Sequence, residues 1–235
     1  MQLEAACFTE ENVARTGRPP CLNNRGKLGL YLFFVGSRMN IKHLCLIFGI
    51  VPSVACAYIN DMLHLIVKRL KRHPMAAVLY PSGGTIENWA QLVHTREPRV
   101  SNVIGFVDGL ALQAQCSDDI IQQNAAYNGY HHDTTCNNVM AFSPTGKIFF
   151  AALNYPGSFH DAQVCHDLIR WCIESLDEHA LCVDQGFPRS GVMWGKFVGP
   201  LSRRQRQNLP PALRDVLQER HGLYVSLRQA SEWGM

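Results

Sequence analysis

The sequence predicts an α/β fold: a mixed sheet with helices packed on it, preceded by an all-α segment. Three observations point there. From Val103 onward, short apolar runs of strand length replace the helical periodicity of residues 28–73. Ser143-Pro144-Thr145-Gly146 joins two of those runs as a tight turn. A helical stretch, His160–Leu176, separates the third run from the fourth, so the fourth can return parallel to the first by a right-handed crossover.

In chain order, residues 1–27 are polar, carry Gly17, Pro19, Pro20 and Gly26, and read as a flexible arm. Thr16-Gly17-Arg18-Pro19 offers Arg18 to a minor groove, although a solvated loop explains it as well. Residues 28–74 read as a helix-turn-helix domain. Leu28–Val35 is apolar on most faces, and Ile41, Leu44, Cys45 and Phe48 then mark one helical face between an Asn40 N-cap and a Gly49 stop. Ile50, Val51 and Pro52 turn the chain, and Ser53 is expected to cap a helix whose apolar face runs from Ala55 to Ile66. The front of that helix has no Lys or Arg. Its basic cluster, Lys68, Arg69, Lys71 and Arg72, lies at the far end and suits phosphate contacts better than base reading. A helical hairpin that only packs would carry the same pattern.

Residues 75–102, with Pro81, Gly83, Gly84 and Pro98, read as a linker holding one short helix at Ile86–Val93. Residues 103–235 form the α/β domain. Val103–Asp108, Asn137–Phe142, Lys147–Asn154 and Ala180–Val183 are expected as strands, with helices near 160–176, 211–220 and 225–235. Strand, hairpin, helix, strand, helix is the order of an RNase H-like fold.

Composition narrows the class. Of 235 residues 47% are hydrophobic and 17% charged, which supports a core and argues against disorder. The most apolar stretch, Leu28–Gly36, is far shorter than a membrane span, and no secretory leader pattern opens the chain. Nine cysteines without a CxxC pair indicate neither a disulfide framework nor zinc, and favour a reducing compartment, nucleus or cytoplasm. Cys165, Cys172 and Cys182, with His160 and His166, read as core thiols beside ordinary histidines. Residues 1–100 carry 12 Lys/Arg against 6 Asp/Glu, and residues 101–235 carry 10 against 13. That asymmetry suits a nucleic-acid-holding half joined to a metal-holding half.

The chemistry rests on three carboxylates. Asp108 in IGFVDG and Asp184 in ALCVDQGFP each end an apolar run, so a parallel pairing sets them side by side at one sheet edge. Glu232 in QASEWG lies on a helix. Such a set can gather Mg²⁺ or Mn²⁺ for phosphodiester chemistry. Each residue alone has a plainer reading: Asp-Gly is a common turn, and a lone helix glutamate is a surface charge. Glu219 rivals Glu232 as third ligand. Asp161, where strand three gives way to the crossover helix, is a further acidic candidate or that helix's cap, and His160 either orients a phosphate or bonds the backbone. Arg203, Arg204 and Arg206 touch DNA phosphates or form a solvated loop.

The order of these pieces resembles PIF/Harbinger-type DDE transposases and their domesticated nuclease relatives. The matching segments are the helix-turn-helix at 40–73, FVDG at 106–109, YNGYHH at 127–132 and the strand pair at 137–154. They continue with YPGSFHDAQV at 155–164, VDQGFP at 183–188 and SLRQASEWGM at 226–235. The resemblance implies a metal-dependent DDE endonuclease acting on DNA in the nucleus, with Asp108, Asp184 and Glu232 as catalytic and metal-binding triad and Asp161 supporting. It also implies a separate DNA-binding partner protein in some members. VDQGF stands where GDSGY-like forms are commoner, with its aspartate intact. The chain stops three residues after Glu232, where such proteins continue, so a carboxy-terminally truncated member, catalytic or reduced to DNA binding, is expected.

Overall fold

The computed structural model describes residues 19–71 and 73–232. Arg18, Arg72 and most of the expected arm therefore lie outside the described residues. The chain divides into two compact units, residues 1–77 and 78–235.

The described part of the first unit is helical. Helix α1 spans Asn24–Gly36, beginning inside the stretch expected as an arm, and the Asn23 side chain caps it by accepting from Gly26 N. Helix α2 spans Ile41–Phe48. Asn40 caps it by accepting from His43 N, and Gly49 ends it in the left-handed region at φ 63°. Helix α3 spans Pro52–Leu70, and the bend between α2 and α3 is 96°. Pro52 takes the first helical position after Val51, so Ser53 lies inside the helix rather than capping it. Leu30, Leu44, Cys45, Ala55 and Ile59 form the small core. Lys27 is buried, its ammonium 4.4 Å from the Tyr58 ring centroid. Among the described residues no single helix is long and apolar enough to cross a membrane.

The second unit begins where a linker holding one short helix at Ile86–Val93 was expected; the helix there is longer and packs into the core. Helix α4 spans Gly83–Arg96, and its Ile86, Trp89 and Ala90 enter the main core. Strand β1 (Val103–Gln113) pairs antiparallel with β3 (Asp133–Phe142), which pairs antiparallel with β4 (Ile148–Pro156). Between β1 and β3 lie helix α5 (Ile120–Ala126), capped by Asp119, and the two-residue strand β2 (Tyr127–Asn128). After β4 come α6 (Asp161–Val164) and α7 (His166–Ser175), then β5 (Ala180–Val183), parallel to β1 as the crossover requires. The edge strand β6 (Phe197–Val198) runs parallel to β5. Helix α8 (Arg203–Gln207) and the long helix α9 (Arg214–Glu232) complete the unit. Helix α9 runs unbroken through Gly222, where two helices were expected.

The sheet has a core on each face. Ile104, Val107, Leu181 and Val183 point to the side covered by α7 and part of α4. Val103, Phe106 and Cys182 point to the other side, where Tyr224 and Leu227 of α9 cover them. The register shift between Val103 and Gly105 explains why Val103 and Phe106 share a face despite their odd spacing. The buried first five residues of β1 give way to half-buried Asp108, Gly109 and Leu110.

Candidate active site

The parallel register sets the site. Val107 pairs with Val183, so the next residues, Asp108 and Asp184, lie side by side where β5 ends. Asp184 is at a strand tip as expected. Asp108 is not: β1 continues to Gln113, paired only with β3. Asp108 sits where the parallel pairing stops, which leaves it half-buried and reachable. By strand alternation Asp108 shares the face of Phe106, and Asp184 the face of Cys182, the side that α9 covers.

Helix α9 meets them there. Arg228 Nη1 lies 2.6 Å from Asp184 Oδ1, both side chains partly shielded. Arg228 stands four residues, one helical turn, before Glu232. Glu232 belongs to the described helix, but its side chain lies outside what is described. The rival Glu219 is ion-paired with Arg99 at 2.8 Å, exposed, near the start of β1 and not at the carboxylate edge.

Asp161 approaches from the opposite face. A Cβ built on Gly109 would lie 2.8 Å from both its carboxylate oxygens, and one built on Gly186 2.9 Å from Oδ2. The two glycines thus leave a slot that the Asp161 carboxylate fills. Burial pushes its carboxyl above the ordinary range, and Asp184 pushes the same way, while His160 and His131 oppose. Asp161 is the first residue of α6. His160 is the cap residue, and its backbone N–H donates to Gln163 Oε1 at 3.0 Å. The loop is fixed from β3: Asn137 Nδ2 donates to Phe159 O at 2.8 Å and to Gly157 O at 3.3 Å.

Sequence reading missed Arg228, Asn137 and His131. Asn137 could have been flagged as a polar residue inside a strand with buried neighbours; Arg228 offered no local signal. Cys165, Cys172 and Cys182 are buried, and burial pushes each thiol up to about 12, so they are core residues rather than thiolate ligands.

The basic residues fall in two places. Lys68 and Arg69 occupy the last turn of α3 and Lys71 its end. Arg203, Arg204 and Arg206 are exposed on α8, whose N-cap Ser202 accepts from Gln205 N. The segment leading to α8 is tied to the Asp184 loop: Gln185 Nε2 donates to Leu201 O at 3.4 Å and Arg189 Nη1 to Pro200 O at 2.7 Å. A cavity of about 390 Å³ lies between β6 and α9, lined by Arg189, Phe197, Gln205, Arg220, His221 and Tyr224; none of the three aspartates lines it.

Among the described residues no three His, Cys, Asp or Glu side chains are grouped so as to hold a metal ion. The donor chemistry nevertheless fits a hard divalent cation. Asp108, Asp161 and Asp184 offer only carboxylate oxygens, all half-buried.

Fold and site together define an α/β protein with two aspartates side by side where the parallel pairing of β1 and β5 stops. The chain belongs to the DDE superfamily endonucleases, whose family model matches residues 107–233, just over half of the chain. No curated protein matches it significantly. Among solved structures it is similar to the Mos1 strand transfer complex at 13% identity and TM-score 0.24, covering 88% of this chain and 59% of that one. It is also similar to the Mos1 transposase paired-end complex with left transposon end, at 12% identity and TM-score 0.25, covering 95% and 74%. The mariner Mos1 paired-end complex with Mg gives 10% identity and TM-score 0.23, covering 93% and 63%. The chain thus spans about three fifths of the Mos1 chain in the strand transfer complex.

Proposed function

We propose that this chain is a divalent-metal-dependent DNA endonuclease or transposase of the DDE type, of the PIF/Harbinger kind, with an RNase H-like catalytic domain and a helix-turn-helix before it. The observation that carries the reading is the parallel pairing of Val107 with Val183, which sets Asp108 beside Asp184. Family membership supports a nuclease, and α1 to α3 with the 96° bend support the helix-turn-helix.

Asp108 and Asp184 would hold the cation, with Glu232 of α9 completing the set. A bound Mg²⁺ or Mn²⁺ supplies activation of water or a 3′ hydroxyl and charge neutralisation at the leaving oxygen. The chain's own residues do the rest. Asp161, held by the Asn137-anchored loop, keeps a carboxylate against Gly109 and Gly186, close to the strand aspartates in sequence. His131 and His160 offset its charge. Lys68, Arg69, Lys71 and Arg72 on one unit, and Arg203, Arg204 and Arg206 on the other, hold DNA phosphates. A nuclear location and a separate DNA-binding partner protein follow from that substrate and kinship.

The ion pair between Asp184 and Arg228 favours a second reading, a catalytically inactive DNA-binding protein, because it engages one of the carboxylates the chemistry needs. Nicking of supercoiled duplex DNA with Mg²⁺ or Mn²⁺ separates the two. Nicking lost in Asp108→Ala supports the enzyme. Nicking unchanged in that variant refutes the catalytic assignment, and salt-sensitive DNA binding without cleavage establishes the second reading.

A further inference from the structure

Resting on the metal reading above, we infer that Arg228 is a built-in counter-cation of the acidic site. It holds Asp184 while the cation is absent, and cation entry displaces it.

Three features of the chain carry this. The Arg228–Asp184 contact, at 2.6 Å, is one of the shortest ion pairs in the structure, and it is partly shielded from solvent, where charge pairing is stronger than at an exposed surface. Its partner is one of the two strand aspartates that the parallel register brings together. A guanidinium and a divalent cation both satisfy a carboxylate, but the same Oδ1 does not serve both at short range without like charges meeting. Lastly, Arg228 belongs to the helix that carries Glu232 one turn later, anchored by Tyr224 and Leu227 in the core below the sheet. Arg228 is thus the last contact described for α9 before Glu232. The pair docks α9 against the site edge, and its release removes that contact. Metal occupancy and the seating of α9 are therefore coupled. Arg228 is a positioning residue in this scheme, not a catalytic one.

The test is calorimetric titration of the full-length chain with Mn²⁺, comparing the parent with Arg228→Met, which keeps the apolar stem, and Asp184→Asn. Arg228→Met is expected to bind Mn²⁺ about five- to tenfold more tightly, because no guanidinium must be released. It is also expected to melt at a lower temperature without metal. Asp184→Asn is expected to bind weakly or not at all. Equal or weaker affinity in Arg228→Met, with binding still lost in Asp184→Asn, overturns the counter-cation inference and leaves the metal reading standing. Absence of Mn²⁺ binding in both parent and Arg228→Met overturns the metal reading and this inference with it. Should Arg228→Met fail to fold, side-chain NMR of the parent decides. The Arg228 Nε–H signal, assigned through Arg228→Lys, is expected to move and exchange faster as Mg²⁺ saturates the site. A signal that stays put at saturation overturns the inference.

Discussion

Gly109 and Asp161 share one slot at the edge of the sheet: a Cβ on the glycine would lie 2.8 Å from both oxygens of the Asp161 carboxylate. Gly109 follows Asp108 directly, so the residue type at 109 decides whether a carboxylate from the crossover side can reach the strand carboxylates at all. In Gly109→Ala the methyl meets the end of a short side chain, not backbone, so Asp161 swings away and the fold survives. A stability loss of about 1 kcal/mol is expected, with weaker Mn²⁺ binding in calorimetry. Unchanged metal affinity would show that the position of Asp161 does not matter to the site.

Ionised Asp161 is disfavoured by burial and by Asp184, so its folded pKa lies above its unfolded one. The folded state therefore binds more protons than the unfolded state between those values, and stability falls as pH rises through that window. Below the ordinary carboxylate range both states are protonated and the penalty vanishes. Asp161→Asn removes the charge. With EDTA present, it is expected to be more stable than the parent at neutral pH and to lose that advantage near pH ~3.5. Urea midpoints at the two pH values check this, and an advantage independent of pH would contradict it.

How far the sequence revealed this arrangement differs from residue to residue. Asp108 and Asp184 were legible because apolar runs ending in aspartate, with a helix between the strands, dictate a parallel pair. The full length of β1 was not, because GLALQ after Asp108 looks like a chain leaving a turn; only pairing with the long β3, down to Gln113 against Thr135, keeps it extended. Helix α4 was read only as a short helix at Ile86–Val93 within a linker, because two glycines open it and its few apolar residues sit among polar ones. Its burial comes from packing against the sheet, not from propensity. Asp119 before Ile120 was a missed capping signal for α5. Arg228 was illegible in principle, since a helix arginine reads as solvent surface until the sheet places Asp184, 44 residues earlier, against it.

Glu219 and Arg228 lie nine residues apart on one helix, roughly 13 Å along its axis. Each is paired at a different end of β1 and β5: Glu219 with Arg99, Arg228 with Asp184. Glu219→Gln breaks an exposed pair that solvent already screens. Its melting temperature is expected to match the parent's within error and its Mn²⁺ affinity to be unchanged. A loss of metal binding would make Glu219 a ligand and require α9 to shift along the sheet.

The three exposed arginines of α8 give the last prediction. Arg203, Arg204 and Arg206 follow Ser202, and the chain just before them is held to the Asp184 loop through Leu201 and Pro200. A phosphate backbone lying across the acidic edge therefore passes within reach of α8, whose positive charge would offset the repulsion between phosphate and carboxylate. Each phosphate neutralised releases condensed counterions and contributes about 0.9 to the slope of log K against log salt. Replacing all three with alanine is expected to weaken duplex binding about equally for unrelated sequences and to reduce the salt slope by up to about 2.7, with the fold intact by circular dichroism. Fluorescence anisotropy across a salt series measures both. Weaker binding with an unchanged slope would mean that these arginines support the Asp184 loop rather than contact phosphate. A loss confined to one sequence would assign them to base reading instead.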